Sequence, residues 1–212
     1  MRTLTKELQD KITPTEAIEL LKNGNKRFLE KRMTGRDLLS QVEQTSSGQH
    51  PFAVVLSCID SRVPAELVFD QGIGDIFSCR VAGNILNEDV LGSMEFACAA
   101  AGSKAIVVLG HTKCGAVKGA CDKVELGNLT SLLNKIQPAV EAETQTTGDR
   151  SSSNGEFVDR VAQLNVQLVM DEIHRRSPVL DEMLRSKKIS MIGGMYDVET
   201  GEVEFYEDTA RV

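Results

Sequence analysis

An α/β fold, with a mostly parallel central sheet covered by helices on both faces, is what this sequence predicts. Three observations carry that reading. Short apolar runs rich in β-branched residues alternate along the chain with stretches of helical spacing. Those runs are continuous rather than alternating in polarity, which marks strands buried on both faces. The chain has 212 residues, 41% hydrophobic and 26% charged, enough for one core without disulfides.

The elements follow in order. Thr13-Pro14-Thr15-Glu16 reads as a helix start, with Thr13 as cap, Pro14 in the first turn and Glu16 closing a capping box. Ala17, Leu21 and Phe28 then form an apolar stripe on an arm. A stripe on a lone arm needs cover, so it is expected to pack on another subunit. Lys26, Arg27, Lys31 and Arg32 read as a solvated face. Thr45-Ser46-Ser47-Gly48 is a loop. Phe52–Leu56 and Asp75–Val81 are strands, and Asn87–Ala101 is a helix stopped by Gly102. Ala105–Leu109 is the cleanest strand. Helical text runs from Cys114 to Cys121 and from Leu129 to Thr144, followed by a polar stretch to Gly155 that reads as a mobile loop. A long helix from Glu156 to Arg176 stops before Ser177-Pro178, and a shorter one ends near Lys188. Ile189–Tyr196 and Val203–Tyr206 are strands around a hairpin-like turn at Glu199-Thr200-Gly201.

Composition excludes several classes of function. A net charge of −7 argues against a general nucleic-acid binder, which needs a basic face. No apolar run approaches the length of a bilayer span, so no membrane role is expected. The first residues carry an acid and no apolar signal core, which points to the cytoplasm. Five cysteines, an odd number with no Cys-x-x-Cys, disfavour a disulfide framework and a thioredoxin-like pair. Cys79, Cys98 and Cys121 sit in apolar text and read as core.

Cys58 and Cys114 have different surroundings. The first strand runs into Ser57-Cys58-Ile59-Asp60-Ser61-Arg62, and the third into Gly110-His111-Thr112-Lys113-Cys114-Gly115. In open α/β sheets, ligands bind beyond the carboxyl ends of the strands. Neighbouring parallel strands would bring Cys58, His111 and Cys114 together as a Cys₂His zinc set with one coordination position left. The competing reading is two packed thiols and a hydrogen-bonded loop histidine. Asp60 either takes the fourth zinc position and closes the site, or pairs with Arg62 and leaves it open. A surface ion pair without function is the alternative for both residues.

Cys58-Ile59-Asp60-Ser61-Arg62-Val63-Pro64, together with Gly110-His111-Thr112-Lys113-Cys114-Gly115, resembles the β-class carbonic anhydrase signature. The likeness extends through Arg80-Val81-Ala82-Gly83-Asn84, Gly24-Asn25-Lys26-Arg27-Phe28 and Ser93-Met94-Glu95-Phe96. It implies a zinc enzyme that interconverts CO₂ and bicarbonate, with one Zn²⁺ per subunit on Cys58, His111 and Cys114 and an Asp60–Arg62 catalytic dyad. It also implies an antiparallel edge strand, and a dimer or tetramer in which N-terminal helices clasp the partner. Residues 1–35 are then a helical arm and 36–212 one zinc-binding catalytic domain. Gln49 matches a substrate-pocket glutamine of the plant-like branch, Phe77 a pocket aromatic, and Phe96 a position where that branch has tyrosine; Gly115 completes the pocket. Val55 stands where the other branch has a regulatory-pocket tryptophan, and this chain has no Trp. His50 is a candidate proton shuttle, against the plainer reading of a loop histidine. His174, beside Arg175-Arg176, reads as structural. Hydrolysis of CS₂ or COS on the same zinc, a non-catalytic zinc module closed by Asp60, and a redox sensor on the thiols are the rival functions.

Overall fold

The computed structural model describes residues 3–206. Five strands form one sheet in the order β2-β1-β3-β4-β5. They are β1 (Ala53–Ser57), β2 (Ile76–Arg80), β3 (Ala105–His111), β4 (Ser190–Tyr196) and β5 (Val203–Phe205). All pairings are parallel except β4 with β5, so the expected mostly parallel sheet with an antiparallel edge is what forms. Every residue of β1, β3 and β4 is buried, as their unbroken apolar text requires.

Side chains of successive strand residues point to opposite faces, and each face has its own core. Val54, Leu56, Ile106 and Val108 meet α6 (Gly115–Cys121), α9 (Gly155–Arg176) and α10 (Pro178–Arg185). Cys98 and Cys121 are buried in this cluster, and Cys79 packs against it half-buried, in keeping with their apolar surroundings. Ala53, Val55, Val107 and Ile192 meet α2 (Pro14–Leu29) and α4 (Ala65–Val68) on the other face.

That second core corrects the expectation for the N-terminal stripe. Ala17 and Leu21 are fully buried within their own chain, and Phe28 packs on Gly201 at the far hairpin. The stripe is covered by the body it precedes, so it is not left for another subunit. Arg27 departs from the solvated-face reading too, because its Nε donates to the buried Asp70 at 2.5 Å. Asn25 fastens both ends of the chain: its Nδ2 donates to the carbonyls of Val68 (3.1 Å) and Gly201 (3.0 Å), and its Oδ1 accepts from Val203 N (3.0 Å).

Caps form where the sequence places them. Thr13 Oγ1 accepts from Glu16 N at 3.2 Å and Glu16 Oε2 from Thr13 N at 2.8 Å, closing the box. Asn87 caps α5 (Glu88–Glu95), which runs on as a π-helical turn through Phe96–Ala100 and ends before Gly102 at φ +86°. The helical text after Leu129 divides into α7 (Gly127–Leu133) and α8 (Gln137–Ala142). The stretch expected to be a mobile loop is fastened by Glu143, whose side chain is 1% exposed and accepts from Gln145 N, Thr146 N, Arg150 and Arg160. Two short helices, α1 (Lys6–Lys11) and α3 (Leu38–Thr45), precede the first strand beside α2. Among the described residues no helix is long and apolar enough to cross a membrane.

Candidate metal centre

Strand register builds the site. Ser57 lies level with Leu109 on β3, so the next residue, Cys58, comes level with Gly110 and beside His111. Lys113 then turns the chain back in a left-handed conformation (φ +57°), its N–H donating to Asp159 Oδ1 at 3.0 Å. Cys114 follows as the N-cap of α6. The ligand atoms of Cys58, His111 and Cys114 all lie within 4.8 Å of one another, and the three residues are buried. The two sulfurs are 4.0 Å apart.

The hydrogen bonds around this trio leave its donor atoms facing inwards. His111 Nδ1 lies 2.9 Å from the Thr112 carbonyl, which can only accept, so that nitrogen carries the proton. Nε2 is thereby left with its lone pair, buried and with no hydrogen-bond partner. A buried imidazole nitrogen in that state, next to two thiols, is the donor set of a zinc ligand group. The thiols divide their acidity. Cys58 is held well below the ordinary thiol range by its contact with Cys114, then by His111 and the N–H groups of Asp60 and Gly83. Cys114 is pushed up by the same contact and by burial.

Asp60 and Arg62 stand at the mouth. Arg62 grips the carboxylate with two guanidinium nitrogens, Nε to Oδ1 at 2.9 Å and Nη2 to Oδ2 at 2.7 Å, and its backbone N–H adds a bond to Oδ1 at 3.0 Å. Of the two arrangements open to Asp60 from sequence, pairing with Arg62 is the one adopted. The grip holds the Asp60 carboxyl far below the usual carboxylate range. Its Oδ2 still lies 3.9 Å from His111 Nε2.

The remaining sequence candidates divide by position. Phe77 and Phe96 meet edge to face with centroids 6.1 Å apart, lining an open groove of about 660 Å³ between β2 and α5. None of the three ligand residues lines it. Gly115 opens α6 next to Cys114, where a Cβ would meet nothing within 4 Å. Gln49 and His50 precede β1 and so sit at the amino end of the sheet, roughly 16 Å of strand away from the ligands. One chain alone does not bring them to the site. His174 pairs with Asp181 at 2.8 Å, the structural role expected of it.

Two supports escaped sequence reasoning. Arg80 donates to the carbonyls of Cys58 (3.0 Å) and Asp60 (2.6 Å), pinning the loop that holds both. Gly83 N–H points at the Cys58 sulfur from 3.3 Å. Arg80 and Gly83 stand in a quoted motif, but nothing local in the sequence says which atoms they reach.

A family model described as carbonic anhydrase matches residues 53–203. The chain belongs to that family. Carbonic anhydrase 2 of Mycobacterium tuberculosis is 34% identical over 89% of this chain and 90% of its own length. A carbonic anhydrase of Mycolicibacterium smegmatis is 33% identical over 90% and 92%. Among solved structures, a β-carbonic anhydrase of Aspergillus fumigatus superposes with a TM-score of 0.71 at 27% identity, covering 91% of this chain and 90% of that one. One of the two tetrameric β-carbonic anhydrases of Sordaria macrospora gives 0.68 at 25% identity, over 78% and 85%. The fold is therefore that of the β-class carbonic anhydrases.

Proposed function

We propose that the chain catalyses the reversible hydration of carbon dioxide to bicarbonate and a proton, with one zinc ion per subunit on Cys58, His111 and Cys114. The observation that carries this is the donor set itself: two thiols and an unpartnered imidazole nitrogen within 4.8 Å, with the nearest carboxylate held by an arginine. What the ion supplies when bound is Lewis acidity, which makes water a nucleophile near neutral pH.

The chain's own residues do the rest. Asp60 keeps acceptor capacity on Oδ2, beside His111 Nε2, and orients the attacking water through a hydrogen bond. Arg62 holds Asp60 out of the fourth ligand position. That pairing supports a working site over a non-catalytic zinc module closed by Asp60. Gly115 leaves space beside Cys114 for a small apolar substrate, while Phe77 and Phe96 line a groove that none of the ligand residues enters. Gln49 serves a site only from a second copy of the chain, which fits self-association as a dimer or tetramer. Five free cysteines fit a reducing compartment, the cytoplasm.

The test is stopped-flow CO₂ hydration across pH, with zinc content determined on the same sample. Turnover should scale with zinc occupancy. Wild-type turnover in a zinc-free sample, or a zinc-loaded chain that hydrolyses CS₂ or COS but leaves CO₂ untouched, would overturn the reading.

A further inference from the structure

Gly83 lies in the turn Ala82–Asn84 with φ +66°, a conformation that favours glycine. Its N–H faces the Cys58 sulfur from 3.3 Å, and its carbonyl accepts from Asn165 Nδ2 at 2.9 Å. Asn165 belongs to α9, on the face that buries Val158, Val161, Ala162, Val166 and Val169. It is 2% exposed. An amide on such a face is costly unless it is hydrogen-bonded, so its presence asks for a purpose beyond packing.

The geometry provides one. The two peptide units flanking Gly83 carry the two bonds, one to sulfur and one to the amide. Fixing the carbonyl therefore fixes the rotation of the residue whose N–H points at sulfur. The turn is also walled in: a Cβ on Gly83 would meet Ile136 Cδ1 at 2.6 Å and Ala116 Cβ at 3.2 Å. Of the two sulfurs, Cys114 has helical support, since the N–H groups of Ala116 and Val117 on its own helix face it. Cys58 follows a strand. Besides the N–H of Asp60 in its own loop, its backbone donor comes from the Gly83 turn.

We propose that Asn165 is a positioning residue for the metal centre, locking the Gly83 turn so that its N–H stays aimed at the Cys58 sulfur. The proposal rests on the zinc reading given above. An N–H bond to a thiolate ligand fixes the direction of its lone pairs and stabilises the deprotonated sulfur that binds metal, so loss of the lock weakens metal binding.

Asn165→Leu and Asn165→Ala, made in the full chain, test this without recourse to activity. Zinc affinity is measured by competition with a chelator, and the thiolate-to-metal charge-transfer band is recorded on cobalt-loaded protein. Affinity is expected to fall about 10-fold, the lower end for loss of an outer partner of a ligand, and the band to move. A purely structural role would lower the melting temperature of the metal-free protein and leave the band where it is. Variants that bind zinc within twofold of wild type, or that keep the band unmoved, overturn the proposal. Should neither variant fold, cadmium-113-loaded wild type is read by NMR. A scalar coupling between the Gly83 amide proton and the metal is expected, and its absence overturns the proposal. A wild-type chain that takes up no zinc brings down the functional reading and this one together. Wild type and variants that bind equally bring down this one alone.

Discussion

Asp60 and Asp70 are both gripped by arginine, yet Asp70 is fully subscribed as a clamp and Asp60, the proposed working group, is not. Asp70 is fully buried and takes bonds from Arg27 Nε, Arg36 Nη1, Thr34 N and Thr34 Oγ1, so both its oxygens are saturated. It holds α2 and the segment after it to the body. Asp60, 17% exposed at its side chain, is gripped by Arg62 alone, and its Oδ2 takes a single bond while lying 3.9 Å from His111 Nε2. An arginine partner does not mark a carboxylate as structural or functional. The count of donors does, because only an under-subscribed oxygen can bind anything else.

The comparison can be broken or sharpened experimentally. The largest effect belongs to the centre that Asp60 faces. His111→Ala or Cys114→Ala should remove most bound zinc and essentially all CO₂ hydration, checked by metal analysis and stopped-flow on one sample. Asp70→Ala should come next, and in stability rather than chemistry. It leaves the buried Arg36 guanidinium, and the half-buried Arg27, without their counter-charge, so urea unfolding should show a loss of about 3–5 kcal/mol, with turnover per folded, zinc-loaded molecule unchanged. Arg62→Ala should do the reverse. Zinc stays bound and stability is near wild type, while hydration falls at least about 100-fold, comparable to losing one well-placed transition-state contact. Near wild-type turnover of Arg62→Ala across pH 7–9 would make the Asp60 pair an idle surface contact.

The smallest effect is in acid. Burial pushes the Asp70 carboxyl up, and the bonds from Arg36, Arg27 and Thr34 outweigh it and bring the group below its ordinary value. A lowered folded pKa contributes stability above the unfolded pKa, about 3.9, which is lost as pH falls through the folded value. The stability difference between wild type and Asp70→Asn should thus be level above about pH 4 and shrink below it. A difference that grows in acid would show that the clamp is not ionised.

What was legible in sequence follows the same division between local and distant causes. β1 and β3 could be read because an apolar run with polar text directly after it is a local signal. Cys58, His111 and Cys114 could be read because strand ends and parallel register place them. α1 and α3 could not. α1 buries only Gln9 and α3 only Gln41, so neither carries an apolar stripe to detect. The cover over Ala17 and Leu21 was misjudged because it comes from Val68, Phe69 and Ile192, far along the chain. The Gly83 N–H and Asn165 were invisible for the same reason: 82 residues separate Asn165 from its acceptor.

Asn25 has a consequence for how the molecule is made. Two of its three bonds join α2 to Gly201 and Val203, 176 and 178 residues further along the chain. Synthesis runs from the N-terminus at a finite pace, so α2 leaves the ribosome long before its seat is complete. Until β4 and the hairpin emerge, Ile192 and Val203 are missing from the cover of Leu21, and Asn25 has only the Val68 carbonyl to hold. The proposed zinc ligands, all emerged by Cys114, can gather around β1 and β3 before β4 and the hairpin are made. Chains stalled late in translation should therefore capture metal before they resist protease at the N-terminal helix.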